Sequence, residues 1–245
     1  MTAATETSDP RVRQQGYLLI EDLLTPEECD EIGARLSEYA RRERPTGDGI
    51  RLQQEPALAR TGRKVQPGQD IRKVSGLWSD PLIREKLITR PEIVSRIQAL
   101  VGDRVWLFRA DALMKPGQVG SEKGFHQDSP YWPIEPMSLW SCWLPLDDAT
   151  LENGCMLVIP GSQGQALPHQ QTQDDYVIPD QHYDLDAVVP VPMRRGSGLF
   201  FHSLLVHGTA ANTSGQSRRA ITMSYFGAEH GYAGDGARPD YPVVA

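Results

Sequence analysis

In the segment FHQDSPYWP, His126 and Asp128 stand two residues apart and could offer an imidazole nitrogen and a carboxylate oxygen to one metal ion. Alternate side chains of extended backbone share a face, so a strand ending here would turn both toward one cavity. An HxD pair alone is more often a surface or turn pair than a metal site. A second histidine changes the balance. His207 closes the apolar run GLFFHSLLVHG, where Leu199, Phe201, Ser203, Leu205 and His207 share one parity. The plain reading of His207 is a half-buried imidazole satisfied by a backbone carbonyl. Two histidines and one carboxylate would also make a facial triad, which leaves three coordination positions open on Fe(II). The same donors suit zinc, so they do not name the metal.

An arginine supplies the discrimination. Arg218 lies eleven residues beyond His207, where RAITMSYF reads as the next strand. The planar guanidinium fork of an arginine there can bind a carboxylate at two points. Arg219 shares parity with Ile221, Met223 and Tyr225, whereas Arg218 shares it with Ala220, Thr222 and Ser224. The small, partly polar face leaves room for a ligand, so Arg218 is the candidate. The alternative for either arginine is an ordinary surface ion pair, worth little.

These residues need a strand scaffold, and the C-terminal half supplies one. VWLFRADALMK, SLWSCWLPL, CMLVIPGS, GLFFHSLLVHG and RAITMSYF are β-branched or aromatic runs punctuated by Pro and Gly. The N-terminal half reads as a short strand over 16–20 followed by helices. Thr25-Pro26-Glu27-Glu28 is a capping box with Pro at the first helical position, and it predicts a helix to about Ala40. Two more helices start at Asp80-Pro81 and at Arg90-Pro91-Glu92, the second ending near Gly102. Helices first and strands later give an α+β chain, mostly β: a sandwich or barrel with flanking helices. Residues 1–11 read as a disordered tail and 12–245 as one domain. Two long polar stretches, 41–70 and 163–186, lack periodicity and are expected to form lids over the site.

Four stretches in this order resemble the phytanoyl-CoA dioxygenase family of Fe(II)- and 2-oxoglutarate-dependent oxygenases: GYLLIEDLLTPEECDEI, FHQDSPYWP, ENGCMLVIPGS and HGTAANTSGQSRRAI. The resemblance implies a double-stranded β-helix, a cupin-like jelly roll with its N-terminal helices packed on one sheet. It implies iron held by His126, Asp128 and His207, with O2 and 2-oxoglutarate as co-substrates. Arg218 then binds 2-oxoglutarate, and Gln127, Trp143, Thr209 and Lys73 line the co-substrate pocket. Tyr131, Trp132, Trp140 and Phe201 are candidates for an apolar substrate wall, against the plain alternative that they are core. Halogenating relatives lack the carboxylate, so Asp128 argues against halogenation.

Composition narrows the partners. Twenty-five basic residues against 32 acidic ones give a net charge of −7, which disfavours a nucleic-acid binder. No apolar run approaches the roughly 18 residues of a membrane span. Three cysteines without CxxC spacing suggest neither a disulfide framework nor a zinc site. The N-terminal residues lack a basic and apolar leader, so the expectation is a cytoplasmic protein. The expected activity is oxidation, by default hydroxylation, of a small natural-product or lipid-like molecule, with release of succinate and CO2. Two competing readings are a cupin-type metal-dependent hydrolase or isomerase and a non-catalytic jelly-roll metal-binding module. The first needs a general base beside the metal, and none is evident. The second gives no use to an unpaired arginine in a cavity.

Overall fold

The computed structural model describes residues 9–245. The tail expected over 1–11 lies outside the described residues as far as residue 8. From Asp9 the chain is ordered, because that carboxylate accepts the Arg11 N–H and caps helix α1 (Pro10–Gln15). The capping box forms as its sequence dictates. Thr25 Oγ1 accepts the Glu28 N–H, Glu28 accepts the Thr25 N–H, and helix α2 runs Pro26–Ala40. Helix α3 (Pro56–Thr61) is short, α4 (Pro81–Ile83) continues as a wider turn over Arg84–Ile88, and α5 spans Pro91–Val101.

Two antiparallel sheets form the body. The larger contains, in spatial order, β1 (Tyr17–Ile20), β12 (Gly198–His202), β7 (Trp140–Pro145), β14 (Arg218–Gly227), β4 (Val105–Lys115), β3 (Ile71–Ser75) and β2 (Arg51–Gln54). The smaller orders β11 (Val189–Val191), β8 (Met156–Val158), β13 (His207–Thr209) and β5 (Lys123–His126). Two short hairpin pairs complete the set: β6 (Ile134–Glu135) with β15 (Gly231–Tyr232), and β9 (Gln170–Gln171) with β10 (Tyr176–Val177). Strands adjacent in space but distant in sequence make this the expected double-stranded β-helix.

Alternation along the strands sorts the two faces of the large sheet. Ala110, Ala112, Cys142, Leu144, Ile221, Met223 and Tyr225 face outward and pack beneath Ile32, Leu36, Ile93 and Ile97 of the helices. Trp143, Leu199, Phe201 and Ala220 face inward, against Met156 and Val158 of the small sheet. The first group is the main core, and the second forms the floor of the space between the sheets. No helix among the described residues is long and apolar enough to cross a membrane.

One expectation needs correction, and two stretches hold more structure than their composition suggests. The run 198–208 is not one strand: β12 ends at His202, and after a turn β13 begins at His207 in the other sheet. The stretch 41–70 is not structureless, since it contains β2 at the edge of the large sheet and helix α3. Its polar composition reflects an edge strand, Arg51–Gln54, whose side chains are mostly exposed. The stretch 163–186 contains the β9–β10 hairpin and is anchored by Ile178, 2% exposed, in a cluster with Ile159 and Val206.

Candidate metal centre

The strands bring the two histidines together. In the β13–β5 ladder His207 lies directly opposite His126, and their ring centroids are 4.2 Å apart. Asp128 follows β5 by two residues, with its backbone N–H donated to the Ser203 carbonyl at 2.8 Å. His126 Nε2 lies 3.8 Å from Asp128 Oδ1, and one donor atom from each of the three residues falls within 4.8 Å of the others. All three are buried.

The same hydrogen bond orients both rings. His126 Nδ1–H donates to the Gly124 carbonyl and His207 Nδ1–H to the Leu205 carbonyl, each at 2.9 Å and two residues upstream. Each Nε2 is thereby left with its lone pair directed inward, the tautomer a metal ligand needs. Burial pushes His126 well below the usual histidine range, aided by His207 beside it, and burial also lowers His207. Both rings are neutral at pH 7. Two neutral imidazoles and a carboxylate, converging and otherwise unclaimed at Nε2, fit a 2-His-1-carboxylate iron site.

A cavity of about 270 Å³ opens beside these ligands. At its inner end Arg218 is 2% exposed and pairs with no carboxylate among the described residues. Its guanidinium makes only long bonds, to the Leu113 carbonyl at 3.4 Å and the Gly154 carbonyl at 3.3 Å, and Nε has no partner. Gly154 is required here by its own backbone and by its neighbours Ala210 and Lys115. It sits at φ +84°, and a Cβ there would come within 2.5 Å of the Ala210 carbonyl oxygen. Burial lowers Arg218 to about 10, which keeps it protonated at neutral pH. The Trp143 ring lies 5.3 Å from the guanidinium, and its buried Nε1–H also lacks a partner. A buried cation with open donors is costly unless an anion arrives, and these groups fit the distal carboxylate of a keto diacid. Arg219 faces the helices instead, held by Asp147 at 2.6 and 2.9 Å.

The other candidates divide. Thr209, Lys73, Tyr131, Trp132 and Phe201 line the cavity with Trp143. Gln127 does not. Its amide donates to the Gln165 and Leu204 carbonyls and accepts the Leu167 N–H, because the alternation that turns His126 inward turns Gln127 away. Trp140 also departs from expectation: it shares parity with Cys142 and Leu144 and belongs to the outer core under the helices. His169 accepts the Gln127 N–H at 3.0 Å.

Several cavity residues escaped the sequence. Lys115, opposite Arg218 in the β4–β14 ladder, donates to Thr209 Oγ1 at 2.8 Å and to the Ala210 carbonyl. Burial, with Arg218 and Arg72 nearby, lowers it to about 7. Asp175, in the β9–β10 turn, pairs with Arg72 at 2.7 Å and Lys123 at 2.6 Å across the mouth. Arg109 reaches Asp128 at 3.2 Å. No local signal shows that a lysine will be buried.

Comparison with known proteins agrees with this geometry. The family model of phytanoyl-CoA dioxygenase (PhyH) matches residues 12–220. The chain belongs to the phytanoyl-CoA dioxygenase family. Phytanoyl-CoA dioxygenase domain-containing protein 1 of Danio rerio is 26% identical over 94% of this chain and 92% of its own length. The peroxisomal phytanoyl-CoA dioxygenase of Mus musculus is 27% identical over 86% of this chain and 65% of its own. Among solved structures, the non-heme alpha ketoglutarate dependent carbocyclase SnoK from nogalamycin biosynthesis superposes with a TM-score of 0.68. It is 25% identical and covers 100% of this chain and 99% of its own. EctD from S. alaskensis, solved with 2-oxoglutarate and 5-hydroxyectoine, has a TM-score of 0.74 at 19% identity, over 98% of this chain and 82% of its own, and shows the shared fold. As a member of this family the chain is an iron- and 2-oxoglutarate-dependent oxygenase.

Proposed function

We propose that the protein hydroxylates a small organic molecule, a natural-product or lipid-like intermediate, while 2-oxoglutarate is converted to succinate and CO2. His126, Asp128 and His207 would hold the iron, and Arg218 the distal carboxylate of 2-oxoglutarate. The observation that carries this reading is Arg218, a buried guanidinium with open donors in the cavity that the three candidate ligands share. When bound, the iron supplies activation of O2 and removal of a hydrogen atom from substrate.

The chain's own residues do the rest. The two Nδ1–H···O=C bonds hold the imidazoles in register, so the donors need little rearrangement. Thr209 and Trp143 flank Arg218 and restrict the co-substrate to one orientation, with Lys73 at the cavity rim. Tyr131, Trp132 and Phe201 offer an apolar wall to the substrate. Residues 163–186 serve as the lid, which excludes water from the reaction. In support, Asp175 is tied to Arg72 and Lys123, and Asp174 to Arg60 of α3, so the hairpin bridges the mouth.

The test is anaerobic addition of Fe(II) and then 2-oxoglutarate, which should produce a weak visible charge-transfer band. Succinate release on admitting O2 with a compound library then identifies substrates by stimulated turnover. Absence of the band from correctly folded protein overturns the reading.

A further inference from the structure

Six cationic side chains line the cavity of this acidic protein: Arg72, Lys73, Arg109, Lys115, Lys123 and Arg218. Five have a use. Arg72 and Lys123 share Asp175, Lys73 lies 3.8 Å from Asp111, Lys115 is held by Thr209 and Ala210, and Arg218 awaits the co-substrate. Arg109 is the sixth, and its one hydrogen-bonded carboxylate is a candidate metal ligand.

Its placement depends on an irregularity in β4. Ser224 pairs with Arg109 but Tyr225 pairs with Leu107, so Phe108 is an extra residue in the ladder. Leu107 and Ala110 both pack under the helices, and therefore Phe108 and Arg109 both face the other way. Regular alternation from Leu107 would have put Arg109 in the core. Bulges that re-aim a side chain recur beside active sites. The guanidinium then lies 4.7 Å from the Trp132 ring centroid, with Nη2 3.2 Å from Asp128 Oδ1 and Nη1 3.9 Å from Asp111. Nε is buried and has no partner. Its hydrogen-bonded carboxylate, Asp128, is a candidate metal ligand, and a divalent cation there takes up that charge, while Asp111 is shared with Lys73. In the loaded site Arg109 faces the cavity beside an aromatic wall, with only a long contact to Asp111, shared with Lys73, to balance its charge.

We propose that the substrate is an organic acid whose carboxylate is bound by Arg109, its apolar body lying along Trp132 and Tyr131. This inference rests on the oxygenase reading above and names the substrate class of the same site. Two anions then enter one cavity and are sorted by two arginines, 2-oxoglutarate at the deep Arg218 and substrate at Arg109 near the mouth.

The experiment uses the full chain with Fe(II) and 2-oxoglutarate under anaerobic conditions. Benzoate, phenylacetate and octanoate are each titrated calorimetrically against the matching primary amide. The expected result is that at least one acid binds tenfold or more tightly than its amide. In R109Q the acid affinity falls about 10- to 100-fold and the preference disappears, as loss of a charge-assisted hydrogen bond implies. R109K, which keeps the charge but not the fork, should fall between. A role confined to positioning Asp128 would weaken acid and amide alike. Binding of no acid, equal binding of acid and amide, or an intact preference in R109Q overturns the proposal. The visible band separates the two levels. Without it in the wild-type protein the oxygenase reading fails, whereas a normal band without acid preference refutes only the role of Arg109.

Discussion

Arg218 offers the sharpest test, because one substitution should raise stability and abolish ligand binding together. The guanidinium is 2% exposed, makes two long bonds to backbone carbonyls and pairs with no carboxylate among the described residues. Such a group destabilises the unliganded fold, and exchanging buried charge for apolar side chains of similar size commonly stabilises by about 1–4 kcal/mol. Methionine keeps the aliphatic stem and ends beside an open cavity, so the new void costs little. With a gain of about 1–2 kcal/mol, unliganded Arg218→Met should melt roughly 2–8 °C above wild type, at about 2–4 °C per kcal/mol for a chain of this length. Ligand reverses the order. Keto acid at one hundred times its Kd stabilises wild type by about 2.7 kcal/mol, a rise of roughly 5–11 °C. Removing the charged partner costs about 2–5 kcal/mol of binding, which raises Kd about 30- to 5,000-fold, and the variant should show little shift. Thermal melts with Fe(II), with and without 2-oxoglutarate, in the absence of O2 read both effects. Arg219→Ala is the control: it breaks the pair with Asp147, lowers the melting temperature and leaves the ligand-induced rise intact. A variant at 218 that melts below wild type without ligand, or keeps the full rise with it, refutes the reasoning.

Asp128→Ala should lose O2-dependent succinate release and bound iron while keeping its far-ultraviolet circular dichroism; full turnover at equal iron content would remove Asp128 from the metal site. Lys115 should be visible in the pH dependence of stability. Burial lowers it to about 7 in the folded protein against about 10.4 unfolded, so from about pH 7 to 10 the unfolded chain holds the extra proton and stability rises with pH. Lys115→Met should flatten that rise and be the more stable protein below pH 7; urea unfolding at pH 6, 7.5 and 9 measures both, and parallel curves would count against it. Asp175→Asn removes the charge shared by Arg72 and Lys123. Amide exchange in residues 170–178 should speed up and the substrate KM should rise, and an unchanged exchange rate would mean that apolar anchoring at Ile178 alone holds the lid.

Much of the candidate centre was legible because its logic is local. His126 and Asp128 converge at the end of β5, where the chain leaves the strand, and alternation along β14 puts Arg218 and Arg219 on opposite faces. It also sorted the small face of Ala220 and Thr222 from the core face of Ile221, Met223 and Tyr225. The reading failed where the chain leaves a regular strand. Residues 203–206 carry it from one sheet to the other, so His207 does not continue the parity of Leu199 and Phe201. It reaches Phe201, at 4.8 Å between ring centroids, across the gap between the sheets. Trp140 was misplaced for the opposite reason. The regular strand carries it to the helix side, and aromatic character alone says nothing about which side that is.

Arg109 shows where this kind of reading stops. An alternating pattern assigns faces only while the ladder is unbroken, and a single extra residue inverts everything after it. Counted back from Lys115, Leu113 and Asp111, Arg109 belongs to the cavity; counted forward from Val105 and Leu107, it belongs to the core. A charged residue at a core position conflicts with burial, and the fold resolves the conflict by admitting the bulge at Phe108. The two counts conflict within VWLFRADALMK, and the register of the β14–β4 ladder is what places the extra residue at Phe108. The bulge packs Phe108 against Trp132 and Tyr241 and turns the Arg109 charge toward the open side of a candidate metal site. It places a charge, and the acid-against-amide titration asks what that charge binds.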